Sequence, residues 1–449
     1  MGHFLAPTVS FRVFGTFVAS VLAASGLLLT SIGALADSPN KIDDDDTVQG
    51  SFTTVGGPHH PHVDARTIEH WTGQATVGDQ TFSYTMVGAD PATEGSSDIT
   101  VDIVLVEVKV GGRWFRGSDV LDPVMASPLF QASDFSSTVW ASNPTMGRGY
   151  GGELSAGNTG VQLLDAAMRS QFNKVGTGYH LSLSLAPVHK PVTIDVPAAL
   201  GTTLTSPRGI TYAEVDEVWF LTTVEQLAAD VHYVQPHRLA LFLTNDVVLY
   251  TGGNRNACCV FGAHGVTETT AEGNGSNGRQ ALQTYIWSSW LTPGFFSPTT
   301  RWSQQDVYGL SHELVEWASD PFITNVVPVW KSPTMAARMY GCSHWLEPGD
   351  PVIGIGFSMG SDAFIDMADP SYSPDKPFGW GDGTYHMSDE AFLPWFLRLN
   401  PNDVSQPTQV ASASIGRYTL LGNLNRVLDP ILKTLIFDRP STGVGCPAA

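Results

Sequence analysis

The sequence predicts an α+β fold in which strands precede one helix and loop-rich chain follows it. Apolar and polar residues alternate through 101–110, as in a strand with one buried face. Apolar residues recur at spacings of three and four through 303–319, as on one face of a helix. The stretch from that helix to Tyr385 shows neither period. Strands and helices grouped in separate parts of a chain are typical of the α+β class.

The individual elements follow in chain order. Residues 81–87 come directly after the turn 77–79, which predicts a β-hairpin, and strand 101–110 ends at the turn Gly111-Gly112. The further elements expected are helices at 160–173, 215–230 and 388–399, a strand at 239–250, and long glycine-rich loops at 251–280.

The N-terminal residues have the pattern of an export signal. An uncharged run covers 13–36 and ends in Ala34-Leu35-Ala36, so we expect residues 1–36 to be a signal peptide and the protein to be secreted. A retained anchor is the alternative, because this run could span a bilayer. Residues 37–62 then form an acidic and His-rich leader. A single domain is expected at 63–449, with a β-rich subdomain at about 63–150.

The charge of the chain limits the class of partner. The formal net charge is −20, and such an acidic chain is repelled by nucleic acid and by anionic lipid. We therefore expect no nucleic-acid partner and no membrane partner after signal cleavage. A peptide or another extracellular polymer is the expected substrate. The sequence does not indicate the oligomeric state.

Four cysteines predict two disulfides in an exported chain: Cys258, Cys259, Cys342 and Cys446. Because adjacent cysteines are poorly placed to bridge each other, we expect each of the first two to pair with a distant one. One bridge would then join Cys342 to Cys258 or Cys259.

The segment His312-Glu313-Leu314-Val315-Glu316 carries the clearest chemical signal in the chain. Residues four apart share one face of a helix, so His312 and Glu316 can hold one metal ion together. Zinc accepts both imidazole nitrogen and carboxylate oxygen. Glu313 would lie beside a water on the metal and act as general base. The alternative is a surface helix in which His312 and Glu316 form a hydrogen bond.

A third metal ligand is needed for a catalytic zinc site. The first candidate is Glu347, in the turn-rich sequence Leu-Glu-Pro-Gly-Asp at 346–350. Asp350 and Asp320 are alternatives, although Asp320 could instead close a turn before Pro321. His344 ranks last. The candidates for stabilising an oxyanion are Tyr340, Tyr385, His386 and His264.

The sequence around the motif resembles a group of exported zincin-like proteins. That group carries H-E-x-x-E, then an acidic residue or Asn followed by Pro, and later Leu-Glu-x-Gly-Asp; the corresponding segments here are 311–322 and 346–350. The site region is also loosely similar to the plant phosphate-induced (exordium-like) proteins. The resemblance implies a zincin-like fold and a zinc site.

The expected function combines the motif with this resemblance. We expect a secreted zinc-dependent hydrolase, a metallopeptidase that uses a metal-activated water and a glutamate general base. The alternative is a non-catalytic extracellular or wall-associated protein with a structural metal site. A metal with an open coordination position would distinguish the enzyme from the structural role.

Overall fold

The structure is a computed structural model. It describes residues 67–136, 138–143, 148–153, 158–206, 209–269, 280–292, 295, 305–332, 342–359, 385–399, 417–421, 441 and 446. The expected signal peptide and leader lie outside the described residues. The class is mixed α+β, rich in strands and poor in helices, as predicted.

The described helices are α1 (Leu121–Met125), α2 (Leu163–Gln171), α3 (Glu217–Asp230), α4 (Tyr308–Ser319) and α5 (Leu393–Phe396), with short 3-10 turns at Pro91–Thr93, Gly117–Val120 and Asp350–Val352. The described strands of the first half are β1 (His70–Val77), β2 (Gln80–Val87), β3 (Ser96–Val110), β4 (Arg113–Arg116), β5 (Ser133–Asp134), β6 (Thr138–Asn143), β7 (Arg148–Glu153), β8 (Thr159–Val161), β9 (His180–Leu185), β10 (Val192–Asp195), β11 (Gly201–Thr205) and β12 (Thr211–Asp216). Those of the second half are β13 (Leu239–Asn245), β14 (Val247–Tyr250), β15 (Cys258–Val260), β16 (Gly262–Thr269), β17 (Ala281–Trp290), β18 (Val326–Trp330), β19 (Ser343–Trp345), β20 (Gly356–Met359) and β21 (Tyr385–Ser388).

A seven-stranded sheet forms the centre of the fold. Its order is β10-β3-β13-β17-β16, and β4 and β9 also pair with β3. The long strand β3 runs parallel to β9, β10 and β13, and β13 runs parallel to β17. Strand β16 is antiparallel to β17. Because β3 pairs with strands from much later in the chain, the expected β-rich stretch contributes to a sheet shared with residues 180–290.

Each face of this sheet is covered by different helices. Successive side chains of a strand point to opposite faces. On β13, Leu239, Leu241 and Leu243 join the apolar cluster that contains residues of α2 and α4. Ala240 and Phe242, between them, join the cluster that contains residues of α3. Helices α4 and α3 therefore lie on opposite faces of one sheet.

Several predicted elements are confirmed. The hairpin is β1 paired with β2, and strand 101–110 lies within β3 and ends at Gly111 and Gly112, which both have positive φ. The first two helices correspond to α2 and α3. The helix expected at 303–319 begins later, at Tyr308, because Asp306 has a φ of 41° and cannot continue a right-handed helix.

Other predictions are wrong. The strand expected at 239–250 is broken at Asp246, where φ is 51°, and its halves β13 and β14 lie in different sheets. The region 251–280, expected as loops, contains β15 and β16, because β17 supplies β16 with hydrogen-bond partners from a distance in sequence. The helix expected at 388–399 shortens to α5, since β21 ends at Ser388. The expected loop-rich C-terminal part also contains β18, β19 and β20.

The disulfide prediction is also wrong in its pairing. Cys258 is bonded to Cys259 across a cis peptide bond, and Cys342 is bonded to Cys446. Strand β15 pairs with β14, whereas β19, which begins one residue after Cys342, pairs with β18. The two segments thus belong to different sheets, and the expected bridge between them does not form.

Within the described ranges, no helix has the length and apolar character needed to cross a membrane.

Candidate metal centre

Helix α4 places its motif inside the protein. It packs against β16, β17 and β21, and all of its residues are buried. His312 Nε2 lies 3.2 Å from Glu316 Oε1, without hydrogen-bond geometry. The two residues thus share one face, as the spacing of four predicts. The alternative of a surface helix is wrong, because α4 has no exposed side.

Strand β16 brings a second imidazole to this face of α4. His264 Nδ1 lies 3.3 Å from Glu313 Oε2 and 3.9 Å from Glu316 Oε2. Gly262, two residues earlier, also faces the helix, and a Cβ there would lie 2.6 Å from Glu313 Cγ. A side chain at position 262 would therefore displace Glu313. The sequence gives a weak sign of this face, because Gly262 and His264 are two apart, as residues on one side of a strand are.

The segment 346–350 closes the site from a third direction. Glu347 Oε2 lies 3.8 Å from His264 Nε2, and Asp350 Oδ1 lies 3.7 Å from His312 Nε2. Between them, the backbone N–H of Gly349 donates to Glu316 Oε1 at 3.0 Å. A Cβ at Gly349 would collide with the His312 ring. A glycine is therefore required where this segment crosses the helix.

Two groups of possible metal ligands result, and they share Glu316. One contains His264, Glu316 and Glu347, and the other contains His312, Glu313 and Glu316. Within each group, one ligand atom per residue lies within 4.8 Å of the others. The sequence-predicted set of His312, Glu316 and Glu347 spans both groups.

Many polar atoms of these residues have no hydrogen-bond partner although they are buried. Within the part of the chain that the structure describes, they are His264 Nε2, both ring nitrogens of His312, Glu313 Oε1, Glu316 Oε2, both carboxylate oxygens of Glu347, and Asp350 Oδ1. A buried polar atom without a partner costs free energy, and a buried charge without a partner costs more. A cation bound among these atoms would satisfy them. The buried His and Glu groups can therefore hold a metal ion.

The pKa shifts of these buried residues also favour a bound cation. Burial raises the pKa of Glu313 to about 8, and His312 offsets only part of this effect. Burial, and then the charge of Glu316, holds the pKa of Glu347 well above its ordinary value. Burial lowers the pKa of His264. The folded chain without a cation thus favours protonated carboxyl groups, and a bound cation would favour the carboxylates.

Two other residues that the sequence indicates as possible metal ligands, Asp320 and His344, have different surroundings. Asp320 Oδ1 accepts hydrogen bonds from the backbone N–H groups of Thr324 (2.9 Å) and Asn325 (3.2 Å), so this carboxylate closes the turn after α4. His344 is exposed on β19, beside Trp345.

Three of the candidates for stabilising an oxyanion remain. Tyr340 lies outside the described residues. Tyr385 and His386 are on β21, where the His386 ring contacts the Asp306 carboxylate.

Sequence reasoning missed one further acid. Glu390 is fully buried, and neither of its carboxylate oxygens has a hydrogen-bond partner among the described residues. Burial raises its pKa well above the ordinary value, while the charge of His312 acts in the opposite direction. The sequence signal was the acidic pair Asp389-Glu390 directly before the apolar run that contains α5.

One segment of the chain matches the G-x-S-x-G motif of serine hydrolases but does not form the turn that this motif requires. Residues 356–360 read Gly-Phe-Ser-Met-Gly, which matches G-x-S-x-G. The serine of that motif sits on a sharp turn between a strand and a helix. Ser358 instead lies in β20, where it pairs with His386 on one side and Trp140 on the other. The pattern is therefore not a nucleophile turn.

No protein-family model, no curated protein and no solved structure matches this chain. The resemblance to exported zincin-like and exordium-like proteins stays a prediction, as does a zincin-like fold.

Proposed function

We propose that this chain is an exported metal-dependent hydrolase, with zinc as the metal and peptides as the substrate class. The observation that supports it most is the convergence of unpaired imidazole and carboxylate atoms from α4, β16 and segment 346–350. Three separate parts of the chain supply these atoms, so their meeting is a property of the fold and not of one acidic stretch.

The proposed zinc ligands are His264, Glu316 and Glu347. They offer one nitrogen and two oxygens, which are donors that zinc accepts. This set keeps Glu316 and Glu347 from the sequence prediction and takes its imidazole from β16, because the structure places Glu347 Oε2 near His264. His312 stands on the other side of Glu316.

Glu313 is the proposed general base. When bound, zinc supplies a water whose pKa is lowered to roughly 7. Glu313 Oε1 has no hydrogen-bond partner, and its carboxylate lies beside the proposed ligand His264.

Export has its own support. The chain contains two disulfides, and such bonds persist mainly in oxidising environments such as the cell exterior. The formal charge of −20 argues against nucleic acid as a substrate. A peptide or another extracellular polymer fits this setting better.

The second candidate is a structural metal site without catalysis. It is favoured by burial, because His312, Glu313 and Glu316 are all 0% exposed. Catalytic zinc keeps one coordination position open to water or substrate, whereas structural zinc is enclosed by protein ligands. In this case the protein would serve as an extracellular or wall-associated component.

The test is zinc analysis of the full chain, combined with an assay on a mixture of fluorogenic peptides. We expect zinc to be bound, and hydrolysis to stop with a chelator and return with added zinc. Glu313→Gln should keep the zinc at His264, Glu316 and Glu347 but lower the rate by about 10²-fold or more, because an amide cannot accept the proton. Glu316→Gln should lose zinc. The exposed His344→Ala is the matched control and should change neither property.

Two results would overturn parts of this proposal. A folded protein that takes up no zinc rules out the metal centre. Bound zinc with no hydrolysis of any peptide tested supports the structural alternative instead.

A further inference from the structure

We propose that this centre holds two divalent metal ions, one on each side of Glu316, with the Glu316 carboxylate as the bridge between them. The proposal rests on the metal centre proposed above and deepens it. It follows from the orientation of Glu316, from the donors on each side of it, and from the charge of the buried cluster.

The two oxygens of Glu316 face different imidazoles. Oε1 lies 3.2 Å from His312 Nε2, and Oε2 lies 3.9 Å from His264 Nδ1. The N–H of Gly349 also donates to Oε1 and thereby fixes the carboxylate in this orientation. A carboxylate oxygen has two lone pairs, so Oε1 keeps one for a metal. Glu316 can thus bind one ion through each oxygen.

Each side of Glu316 has its own set of donors. His264, Glu316 and Glu347 form the first group, and His312, Glu313 and Glu316 form the second. Each group contains one imidazole and two carboxylates. A carboxylate that binds a metal through one oxygen keeps the other as a proton acceptor, so Glu313 can serve the second ion and remain a base.

Asp350 strengthens the second group. Its Oδ1 lies 3.7 Å from His312 Nε2 and has no hydrogen-bond partner. On the first side, His264 Nε2 and both oxygens of Glu347 also have none. A single ion in either group would leave the buried donors of the other group unsatisfied. Two ions would use both sets.

The charge of the cluster also favours more than one ion. Besides Asp320 and Asp389, which accept backbone hydrogen bonds, five carboxylates gather here: Glu313, Glu316, Glu347, Asp350 and Glu390. Four of them have an oxygen within 4.0 Å of a ring nitrogen of His264 or His312. When all five are ionised, one dication neutralises two of the negative charges and two dications neutralise four. Because uncompensated buried charge is costly, the two-ion state suits this cluster better.

The decisive measurement is the number of ions in the full, metal-free chain after titration with zinc and, separately, with cobalt(II). We expect two zinc ions per chain. Two cobalt(II) ions bridged by one carboxylate should couple magnetically, so the paramagnetic resonance signal should not grow in proportion to the second ion. One zinc per chain overturns the two-ion proposal and leaves the proposed hydrolase centre standing. No zinc overturns both.

Variants then locate the ions. His264→Ala and His312→Ala should each keep one ion, and the double variant should keep none. An ion that remains in the double variant lies elsewhere and overturns the proposal. Glu347→Gln and Asp350→Asn remove less volume and serve if an alanine variant does not fold. The first should weaken only the ion beside His264 by about tenfold or more, and the second only the ion beside His312. The exposed His344→Ala should keep both.

Discussion

Helices α3 and α4 lie against the same strands, β16 and β17, from opposite faces of the central sheet. Helix α3 is buried on one side only. It buries Phe220, Leu221 and Val224 against the sheet and leaves Val218 exposed. The side chain of Asp216 accepts a hydrogen bond from the backbone N–H of Trp219 and caps the helix. Apolar burial and a cap both stabilise a helix.

Helix α4 is built differently. No residue of α4 is exposed, and no side chain caps its N-terminus. Its buried residues include His312, Glu313 and Glu316, whose charges cost free energy unless they are compensated. The comparison teaches that α3 mainly stabilises the fold. By contrast, the buried charged residues of α4 lower the stability of the fold, and a bound cation would offset this loss.

The largest effect that we expect is a loss of stability caused by a substitution in α3. Phe220 packs edge-on against Trp287, with ring centroids 5.1 Å apart. Phe220→Ala should lower the free energy of unfolding by about 3–5 kcal/mol, because it leaves a cavity in the core. The number of ions bound per folded chain should not change. Denaturant unfolding and metal analysis check both statements.

Val218→Ala, at an exposed position of α3, is the control and should have little effect on stability or on metal content. Loss of metal without loss of stability would reverse the roles assigned to the two helices.

A smaller effect on stability, together with a loss of metal affinity, is expected from a substitution in the segment that crosses α4. Gly349→Ala places a Cβ against the His312 ring. We expect metal affinity to fall at least tenfold, and stability to fall by roughly 1–3 kcal/mol from overpacking. Isothermal titration with zinc measures the first and thermal unfolding the second. Gly95→Ala is the matched control, since its Cβ would meet only side-chain atoms at 3.2 and 3.3 Å. If both variants bind zinc like the wild type, segment 346–350 is not part of the centre.

The smallest effect concerns pH and the start of α3. Burial raises the pKa of Glu217 to about 7, and the charge of the neighbouring Asp216 acts in the same direction. Between pH 4.5 and 7 the folded state therefore holds a proton that the unfolded chain has released. Stability should fall as pH rises through this window, with a slope of at most about 1.4 kcal/mol per pH unit from this group. Glu217→Gln should remove that part of the slope. Urea unfolding of both metal-free proteins at pH 5, 6 and 7 gives the comparison. Equal slopes would show that Glu217 does not titrate in this way.

Local spacing in the sequence predicted the parts of the site that local geometry determines. The spacing of four placed His312 and Glu316 on one face of a helix, and the turn-forming residues around Glu347 predicted its approach to the site. The sequence indicates His264 only for oxyanion stabilisation, because 251–280 is rich in glycine, which predicts loops. Its strand depends on pairing with β17, which no local pattern in β16 reveals.

Two further failures have the same origin. The expected bridge from Cys342 to Cys258 or Cys259 depended on which sheets carry these segments. The expected strand through Asp246 depended on a backbone reversal that the Leu- and Val-rich sequence does not show. Local patterns determine the elements, and contacts between distant segments determine how the elements meet.

From the crossing of segment 346–350 over α4 we also expect a particular order of events during folding. The helix that carries Glu316 can begin to form early, because the hydrogen bonds within a helix are local. His264 reaches its position after β16 has paired with β17, and Glu347 arrives when Gly349 has docked on Glu316. Long-range contacts of this kind form late, and a metal site assembled from them is absent from the unfolded chain. Metal uptake would then mark the last step of folding, and a chain loaded with metal is one that has finished folding.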